Sequence, residues 1–281
     1  MSRHRMVELQ RTVNPEALGS LSSQKDYFFR YFSALGLTVA EVYGAVSSNG
    51  PGWRRGGGML DDAADLRELL AEVPDEIVVK PVDGFQGHGV RLLRRDEIDP
   101  ECLLAELRAE EMFSDWLIQR RLHNHPVIAG ITRSATLETL RIATLVERSG
   151  EVSVLYADNR LALVEGTVDN LRGGRTRNGV APVRLEDGVL GKLRRRSLDG
   201  IGFDDSATLD DGTPVEGVQL PDWDATLALV RRGGTAMLPA RTMGWDVALT
   251  PEGPVIIEAN MFYWPSTVSD QRSAAARIER A

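Results

Sequence analysis

Residues 78–93 read VVKPVDGFQGHGVRLL and place a glycine-rich stretch between two runs of apolar residues. Both runs, 76–82 and 90–95, predict β-strands, so the glycines join a strand to a strand and not a strand to a helix. The phosphate loops of Walker A and dinucleotide-binding proteins lead from a strand into a helix and have different glycine spacings. The chain is therefore not expected to fold as either of these nucleotide-binding classes.

Two interpretations of this hairpin stay open on its residues alone. Glycines at 84, 87 and 89 give an anion free access to backbone N–H groups, and Lys80 supplies a point charge, as in a flap over a nucleotide triphosphate. Alternatively, the glycines serve a tight turn and the lysine is solvated. His88 can donate to a phosphate when it is protonated, but a single loop histidine is more often simply exposed.

Composition narrows the class of protein. With 281 residues, 42% hydrophobic and 26% charged, the chain can bury the core of one large domain or two lobes. Its formal charge of −8 argues against a nucleic-acid-coating surface. Cys102 is the only cysteine, and no apolar run is long enough to span a bilayer. We predict a cytoplasmic protein that is not membrane-embedded and does not bind nucleic acid.

The periodicity of apolar residues predicts a mixture of helices and strands. Helices are predicted over 23–36, 61–71, 99–110 and 223–232, and strands over 37–43, 76–82, 90–95, 116–122, 139–147, 151–163, 245–249 and 254–260. Residues 47–58 are predicted to form a mobile surface loop. The fold class is α+β, with an N-terminal helix and strand region (1–75), a small lobe carrying the flap (76–122) and a large lobe (123–281).

The segment GWDVALTPEGPVIIEAN, residues 244–260, predicts a β-hairpin. With Pro251 to Gly253 as a three-residue loop, Thr250 pairs with Pro254 and Asp246 falls opposite Glu258. Asn260 then shares their face. Two carboxylates facing each other repel unless a cation lies between them, and Mg²⁺ prefers such oxygen ligands. The strand 254–260 is otherwise apolar and is therefore expected to be buried, so a magnesium site is favoured over ordinary surface acids.

A third set of polar residues lies on strands and in a glycine-rich segment of the second half. Arginine on an apolar strand needs an anionic partner, which is either a substrate or phosphate group or a structural carboxylate. A functional role is favoured for Arg141, and the two readings are even for Arg160. The remaining candidates for substrate contact are Asp169, Asn170, Gly173 and Gly174.

Taken in order, these sets resemble the ATP-grasp superfamily, and most closely its sugar-transfer-associated branch. The matching stretches are QKDYFFRYFSALGLTVAEVYG, VVKPVDGFQGHGV, LIQRRL, TLRIATL, VDNLRGG and MGWDVALTPEGPVIIEAN. Each is weak alone, but together they keep the family's order over residues 24–260. The resemblance implies an ATP-grasp fold, in which two α+β lobes hold ATP between them, here with a short N-terminal region.

The resemblance also implies roles for the candidate residues. Nucleotide contacts are implied for Lys25, Lys80, the flap residues Gly84, Gly87, His88 and Gly89, and the adenine hinge residues Gln119, Arg120 and Leu122. Magnesium ligands are implied for Asp246, Glu258 and Asn260. Arg141 resembles the arginine that contacts the terminal phosphate or an acyl phosphate, and the resemblance implies a catalytic role for Arg141 and Lys80. Relatives often have lysine in place of His88 and asparagine in place of Glu138.

The reaction implied is ATP- and Mg²⁺-dependent ligation. ATP phosphorylates a carboxylate, and an amine attacks the acyl phosphate to give an amide, ADP and phosphate. The substrates are expected to be small molecules or groups on a carrier, and a homodimer or a partner protein is considered. The alternatives are a small-molecule kinase of the same fold and a nucleotide-binding partner without catalysis.

Overall fold

The computed structural model describes residues 3–84, 87–164, 166, 169, 176–197, 201–263 and 271–281. Its helices are α1 (Arg3–Val13), α2 (Gly19–Ser23), α3 (Lys25–Ala34), α4 (Ala63–Glu72), α5 (Pro100–Ala109), α6 (Pro126–Thr132), α7 (Trp223–Ala236) and α8 (Gln271–Arg280). Within these described residues, none of the helices has the length and apolar character needed to cross a membrane.

The strands form two separate sheets. They are β1 (Val42–Ser47), β2 (Gly52–Arg54), β3 (Met59–Leu60), β4 (Glu76–Pro81), β5 (Arg91–Arg94), β6 (Asp115–Arg120), β7 (Leu140–Val146), β8 (Val152–Leu161), β9 (Gly179–Pro182), β10 (Leu193–Arg196), β11 (Phe203–Ser206), β12 (Thr242–Thr250) and β13 (Gly253–Asn260). Two compact units contain them: a small unit (23–31 and 40–122) and a large unit (1–22, 32–39 and 123–281). The three predicted domain segments stay a prediction.

The small unit is an antiparallel sheet in the order β3-β2-β1-β6-β4-β5, covered by α4 and α5. Each helix has apolar residues at helical spacing, and these pack on sheet residues such as Trp116 and Ile118. Asp62 caps α4 by accepting from the N–H groups of Ala64 and Asp65. The flap lies between the antiparallel strands β4 and β5, as predicted from its flanking apolar runs.

The large unit is an antiparallel sheet in the order β11-β10-β9-β8-β7-β12-β13. Helix α7 packs against β12, where a Cβ at Gly233 would lie 2.9 Å from the Trp245 ring. The glycine therefore lets the helix approach the buried tryptophan. Because adjacent residues of a strand face opposite sides, Asp246 lies on the face away from α7. That orientation places the predicted metal ligand on the same face as Arg141.

Several elements differ from the sequence-based expectations. The strand predicted over 37–43 lies at 42–47, and the predicted loop 47–58 contains β2, paired with β1. Gly52 permits this pairing, since a Cβ there would lie 1.8 Å from the Ala45 carbonyl oxygen. Helix α7 continues past residue 232 through two glycines. The helices α1, α2, α6 and α8 and the strands β3 and β9 to β11 were not predicted from the sequence.

Candidate functional site

Three charged residues of the large unit form a row across three neighbouring strands. Arg141 on β7 is the cross-strand partner of Asp246 on β12, and Asp246 is the partner of Glu258 on β13. Asn260 on β13 lies opposite Gly244, two residues after Glu258 and therefore on the same face of the sheet. The hydrogen-bond register of the sheet therefore brings together Arg141 and the three predicted metal ligands.

The predicted pairing of Asp246 with Glu258 is right, although its derivation from a three-residue loop is wrong. Thr250 pairs with Gly253, whose φ is 114°, so the connection is one residue shorter than expected. A bulge between Asp246 and Val247 then shifts the register by one residue. Because of this bulge, Asp246 lies opposite Glu258 despite the shorter connection.

Two guanidinium groups hold the Asp246 carboxylate. Arg141 Nε lies 2.5 Å from Oδ1 and Arg141 Nη2 lies 3.2 Å from Oδ2. Arg160 Nη1 donates to Oδ2 at 3.1 Å. Burial alone would raise the pKa of Asp246, but the charges of Arg141 and Arg160 outweigh it and hold the pKa below its ordinary value. Asp246 is therefore an anion in a nearly dry site.

Arg160 also connects the row to Asp169. Its Nη1 donates to Thr139 Oγ1 at 3.2 Å and lies 4.0 Å from Asp169 Oδ1. Asp169 Oδ2 in turn accepts from the N–H and the hydroxyl of Thr139, at 2.7 Å and 2.6 Å. Burial raises the pKa of Asp169, and Arg160 and Thr139 oppose that rise. The predicted substrate residues Asn170, Gly173 and Gly174 lie outside the described residues.

The donor set of the row fits Mg²⁺ in chemical kind. An ionised carboxylate has about four lone-pair positions, and Asp246 uses three of them for its arginines. One position on Oδ1 thus stays available. Asn260 Nδ2 donates to the Gly244 carbonyl oxygen at 3.4 Å, so its amide oxygen is the atom that can accept or ligate. Among the described residues, no three His, Cys, Asp or Glu side chains form a metal-holding group.

In the small unit, both predicted nucleotide lysines lie at the base of the flap. Lys25 Nζ donates to the Gly84 carbonyl oxygen at 2.5 Å, and Lys25 N donates to the Val82 carbonyl oxygen at 3.2 Å. Lys80 is buried at the end of β4, with its Nζ 4.9 Å from the centre of the Phe29 ring. Helix α3 thus holds the two lysines and the start of the flap together.

The flap glycines serve the turn and also keep the backbone close to its neighbours. Gly87 and Gly89 have φ values of 72° and 75°. A Cβ at Gly89 would lie 2.7 Å from Pro81 Cγ, and one at Gly84 would lie 2.9 Å from Pro81 Cβ. His88 is exposed. The turn interpretation accounts for these glycines, and it leaves a phosphate-binding role as a proposal.

The predicted adenine hinge falls at the end of β6. Gln119 and Arg120 lie within the strand, paired with Val78 and Ile77 on β4. Gln119 Nε2 also donates to the Ala40 carbonyl oxygen at 3.4 Å. Leu122 lies beyond the strand, so its backbone is outside the ladder. The hinge stays a prediction, with Leu122 its best-placed member.

Sequence reasoning missed three buried polar residues beside the row. Asp158 on β8 is the cross-strand partner of Arg141 and extends the row to a fourth strand. Thr139 binds both Asp169 and Arg160. Glu138, considered only as a departure from the family, is also buried. A polar residue within an otherwise apolar strand was the available signal for Asp158, as it was for Arg141 and Arg160.

Three solved structures are similar to the chain. D-alanyl-alanine synthetase A from Vibrio cholerae O1 biovar eltor is 14% identical (TM-score 0.50), with 91% of this chain and 60% of that chain covered. The biotin carboxylase domain of 2-oxoglutarate carboxylase from Hydrogenobacter thermophilus is 13% identical (TM-score 0.50), with 93% and 46% covered. L-amino acid ligase from Bacillus licheniformis is 14% identical (TM-score 0.45), with 86% and 40% covered.

At these identities the likeness is one of fold. The chain spans between 40% and 60% of the length of these three structures. No curated protein matches it by sequence. The likeness to the Vibrio cholerae and Hydrogenobacter thermophilus structures confirms the predicted α+β class.

The match to a family model covers more of the chain than the match to any of these three structures. The model of the sugar-transfer associated ATP-grasp family matches residues 4–280, which include both sheets and every candidate residue. The ATP-grasp fold predicted from six short stretches is thereby confirmed. The chain belongs to the sugar-transfer associated ATP-grasp family.

Proposed function

We propose that this protein is an ATP- and Mg²⁺-dependent ligase that activates a carboxylate as an acyl phosphate and joins it to an amine. The observation that carries the proposal is the row of Arg141, Asp246 and Glu258, with Arg160 on the same carboxylate. Support comes from the family and from the name of the Vibrio cholerae structure, a D-alanyl-alanine synthetase. The MgADP bound to the Hydrogenobacter thermophilus domain supports the choice of cofactors.

The proposed nucleotide contacts are the two lysines, the flap and the hinge. Lys25 Nζ donates to the Gly84 and Val82 carbonyl oxygens, and we propose that its charge also attracts a phosphate at the base of the flap. Lys80 brings a charge whose burial strengthens its attraction for phosphate. The N–H groups of Gly87 and Gly89 are proposed to cover the phosphates, with or without His88. The backbone at Leu122 is proposed to meet the adenine.

Asp246, Glu258 and Asn260 are the residues that would hold Mg²⁺. The bound ion would bring together the phosphate oxygens and neutralise their charge. Both ATP and Mg²⁺ are thus proposed cofactors.

Arg141 is the proposed catalytic residue of the row. Phosphoryl transfer depends mainly on positioning and on neutralising charge. The carboxylate oxygen of the substrate bonds to the γ-phosphorus of ATP while the bond to the β,γ-bridging oxygen breaks, which releases ADP. The amine nitrogen then bonds to the acyl carbon, phosphate leaves, and the amine proton passes to phosphate or solvent. Arg141 can pair with the transferred phosphoryl group through the donors that Asp246 leaves unused.

The test is mass spectrometry of the protein incubated with MgATP and a panel of carboxylates and amines, together with assays for ADP and phosphate. A condensed product with ADP and phosphate is the expected result. A product that gains only the mass of phosphate would identify a kinase instead. Glu258→Gln should abolish turnover while the variant keeps its folded circular dichroism spectrum, and normal turnover by this variant would contradict the proposed metal site.

The remaining expectations concern the surroundings of the reaction. A small-molecule or carrier-borne carboxylate and amine are the proposed substrates. A partner protein or a second copy of the chain, and a cytoplasmic location, stay predictions. Gel filtration with light scattering would show whether the protein forms a dimer.

A further inference from the structure

Glu138 is a buried carboxyl group to which the proposed reaction assigns no role. It lies between α6 and β7 and is only 2% exposed. Its Oε1 accepts from Thr132 Oγ1 at 2.5 Å and from Ala162 N at 3.2 Å. Its Oε2 is buried and has no hydrogen-bond partner among the residues that the structure describes. A buried ionised group without such a partner is costly, so this arrangement suits a neutral carboxylic acid.

The contacts of Glu138 reach both strands that carry the arginines. Thr132 ends α6, and Ala162 follows β8 two residues after Arg160. The backbone N–H of Glu138 donates to Asn124 Oδ1 at 2.8 Å, which fixes the start of β7. The Glu138 side chain thus holds the end of β8 beside the start of β7, where Arg160 N donates to the Thr139 carbonyl oxygen at 3.0 Å.

Thr139, the residue after Glu138, contacts the residues of the site. Thr139 holds Asp169 through two hydrogen bonds and also accepts from Arg160 Nη1. The same Arg160 nitrogen donates to Asp246 Oδ2. The path from Glu138 to the proposed metal ligand therefore runs through Thr139 and Arg160, with a described contact at each step.

We propose that Glu138 is a positioning residue which, as a neutral carboxylic acid, holds Thr139 and Arg160 where Arg160 binds Asp246. Its Oε1 accepts both hydrogen bonds, so the proton lies on Oε2. Loss of that proton would place a buried negative charge near Asp169. The resulting repulsion displaces Thr139, and Arg160 then loses its alignment on Asp246. The consequence for nucleotide binding rests on the proposed function.

The electrostatic surroundings agree with a neutral Glu138. Burial, together with the negative charge of Asp169, raises the pKa of Glu138 to about 8, although the hydrogen bonds from Thr132 and Ala162 favour the ionised form. The other titratable or charged residues on the elements that hold it are His125 and Arg133, at the two ends of α6, Arg141 on β7, and Tyr156, Asp158 and Arg160 on β8. Asp169 is the charged neighbour that raises this pKa.

The first experiment needs no ligand and follows the Arg160 Nε–H signal by NMR between about pH 6.5 and about pH 9.5. The signal is assigned by its absence in Arg160→Lys. In the wild type, we expect it to move with a midpoint near the pKa of Glu138. Glu138→Gln keeps an acceptor oxygen but carries no titrating proton, so its signal should stay at the low-pH position throughout.

The controls separate Glu138 from the other groups. Glu151→Gln, which changes an exposed residue just before β8, should titrate as the wild type does. Asp169→Asn removes the neighbouring negative charge, so the midpoint should fall. A Glu138→Gln variant that titrates as the wild type does would overturn the proposal, because another group would then move Arg160.

The second experiment measures the MgATP dissociation constant of the same variants by calorimetry at the two ends of the pH range. We expect wild-type affinity to fall several-fold at high pH and Glu138→Gln affinity to change less. Equal losses in the two proteins would contradict the effect on nucleotide binding. If MgATP does not bind at any pH, the proposed function fails, while the NMR titration still decides whether Glu138 positions Arg160.

Discussion

At the scale of single residues, the buried Asp246 carboxylate stays ionised because two partly buried arginines bind it. Removing one arginine leaves a buried charge with fewer partners, and the loss of a buried ion-pair partner typically costs about 3 kcal/mol or more. Arg141→Ala should therefore lower the free energy of unfolding by about 3 kcal/mol. The matched control is Arg194→Ala, because Arg194 also makes a bidentate pair, with Asp205, but that pair is half-exposed.

Urea denaturation of the two variants provides the comparison. A surface pair contributes less than about 1 kcal/mol, so Arg194→Ala should be close to the wild type. Similar losses in both variants would mean that burial does not decide the strength of the Asp246 pair. Arg160 keeps one bond to Asp246 in Arg141→Ala, and Arg141→Ala/Arg160→Ala should therefore lose more stability than either single variant.

Lys80 permits a matched test of the nucleotide contacts, because the chain has only three lysines, Lys25, Lys80 and Lys192. Lys80→Met removes a buried charge at the flap, and Lys192→Met removes an exposed one. A charge-assisted contact is worth about 1.5–3 kcal/mol, so Lys80→Met should weaken MgATP binding roughly tenfold or more in calorimetry. Equal affinities for the two variants would contradict the assignment of Lys80.

At the scale of elements, the flap depends on backbone conformation and on space. Gly89 and Gly56 both have positive φ, 75° and 85°, but only Gly89 has atoms close to its Cβ position. An alanine at either site pays about 1–2 kcal/mol for the left-handed backbone. Gly89→Ala should lose roughly 1–3 kcal/mol more, because its Cβ would crowd Pro81 and Phe113. Thermal unfolding of both variants checks this difference, and equal losses would contradict it.

The elements also show how far the sequence predicts the structure. Apolar periodicity located the hairpin of β12 and β13 and the strands beside the flap, because those segments have strong patterns. The one-residue register shift at Asp246 depends on a bulge, which no local pattern shows. Residues 47–58 have the glycines of a loop, but Gly52 serves the close pairing of β1 and β2. The Arg160 contact with Asp246 joins strands that are not adjacent, so it needs the sheet order.

At the scale of the whole molecule, the face that carries Arg141 is charged at one end and apolar further along β7. Ala143 and Leu145 lie on that face, and helices α1 and α8 cover it through Met6, Leu9 and Ile278. The sequence did not predict these helices, since arginine and glutamate residues interrupt their apolar pattern. The fold thus uses segments from both ends of the chain to bury one end of the sheet face.

Met6 tests whether α1 belongs to the core of the large unit. It is fully buried, and Met59 is a matched control with 63% exposure. Truncating a buried methionine typically costs about 2–5 kcal/mol, because the transfer free energy is lost and a cavity remains. Met6→Ala should therefore lower the midpoint of urea unfolding, and Met59→Ala should leave it nearly unchanged. If both midpoints match the wild type, α1 contributes no packing energy, and the apolar end of the sheet face must be stabilised without it.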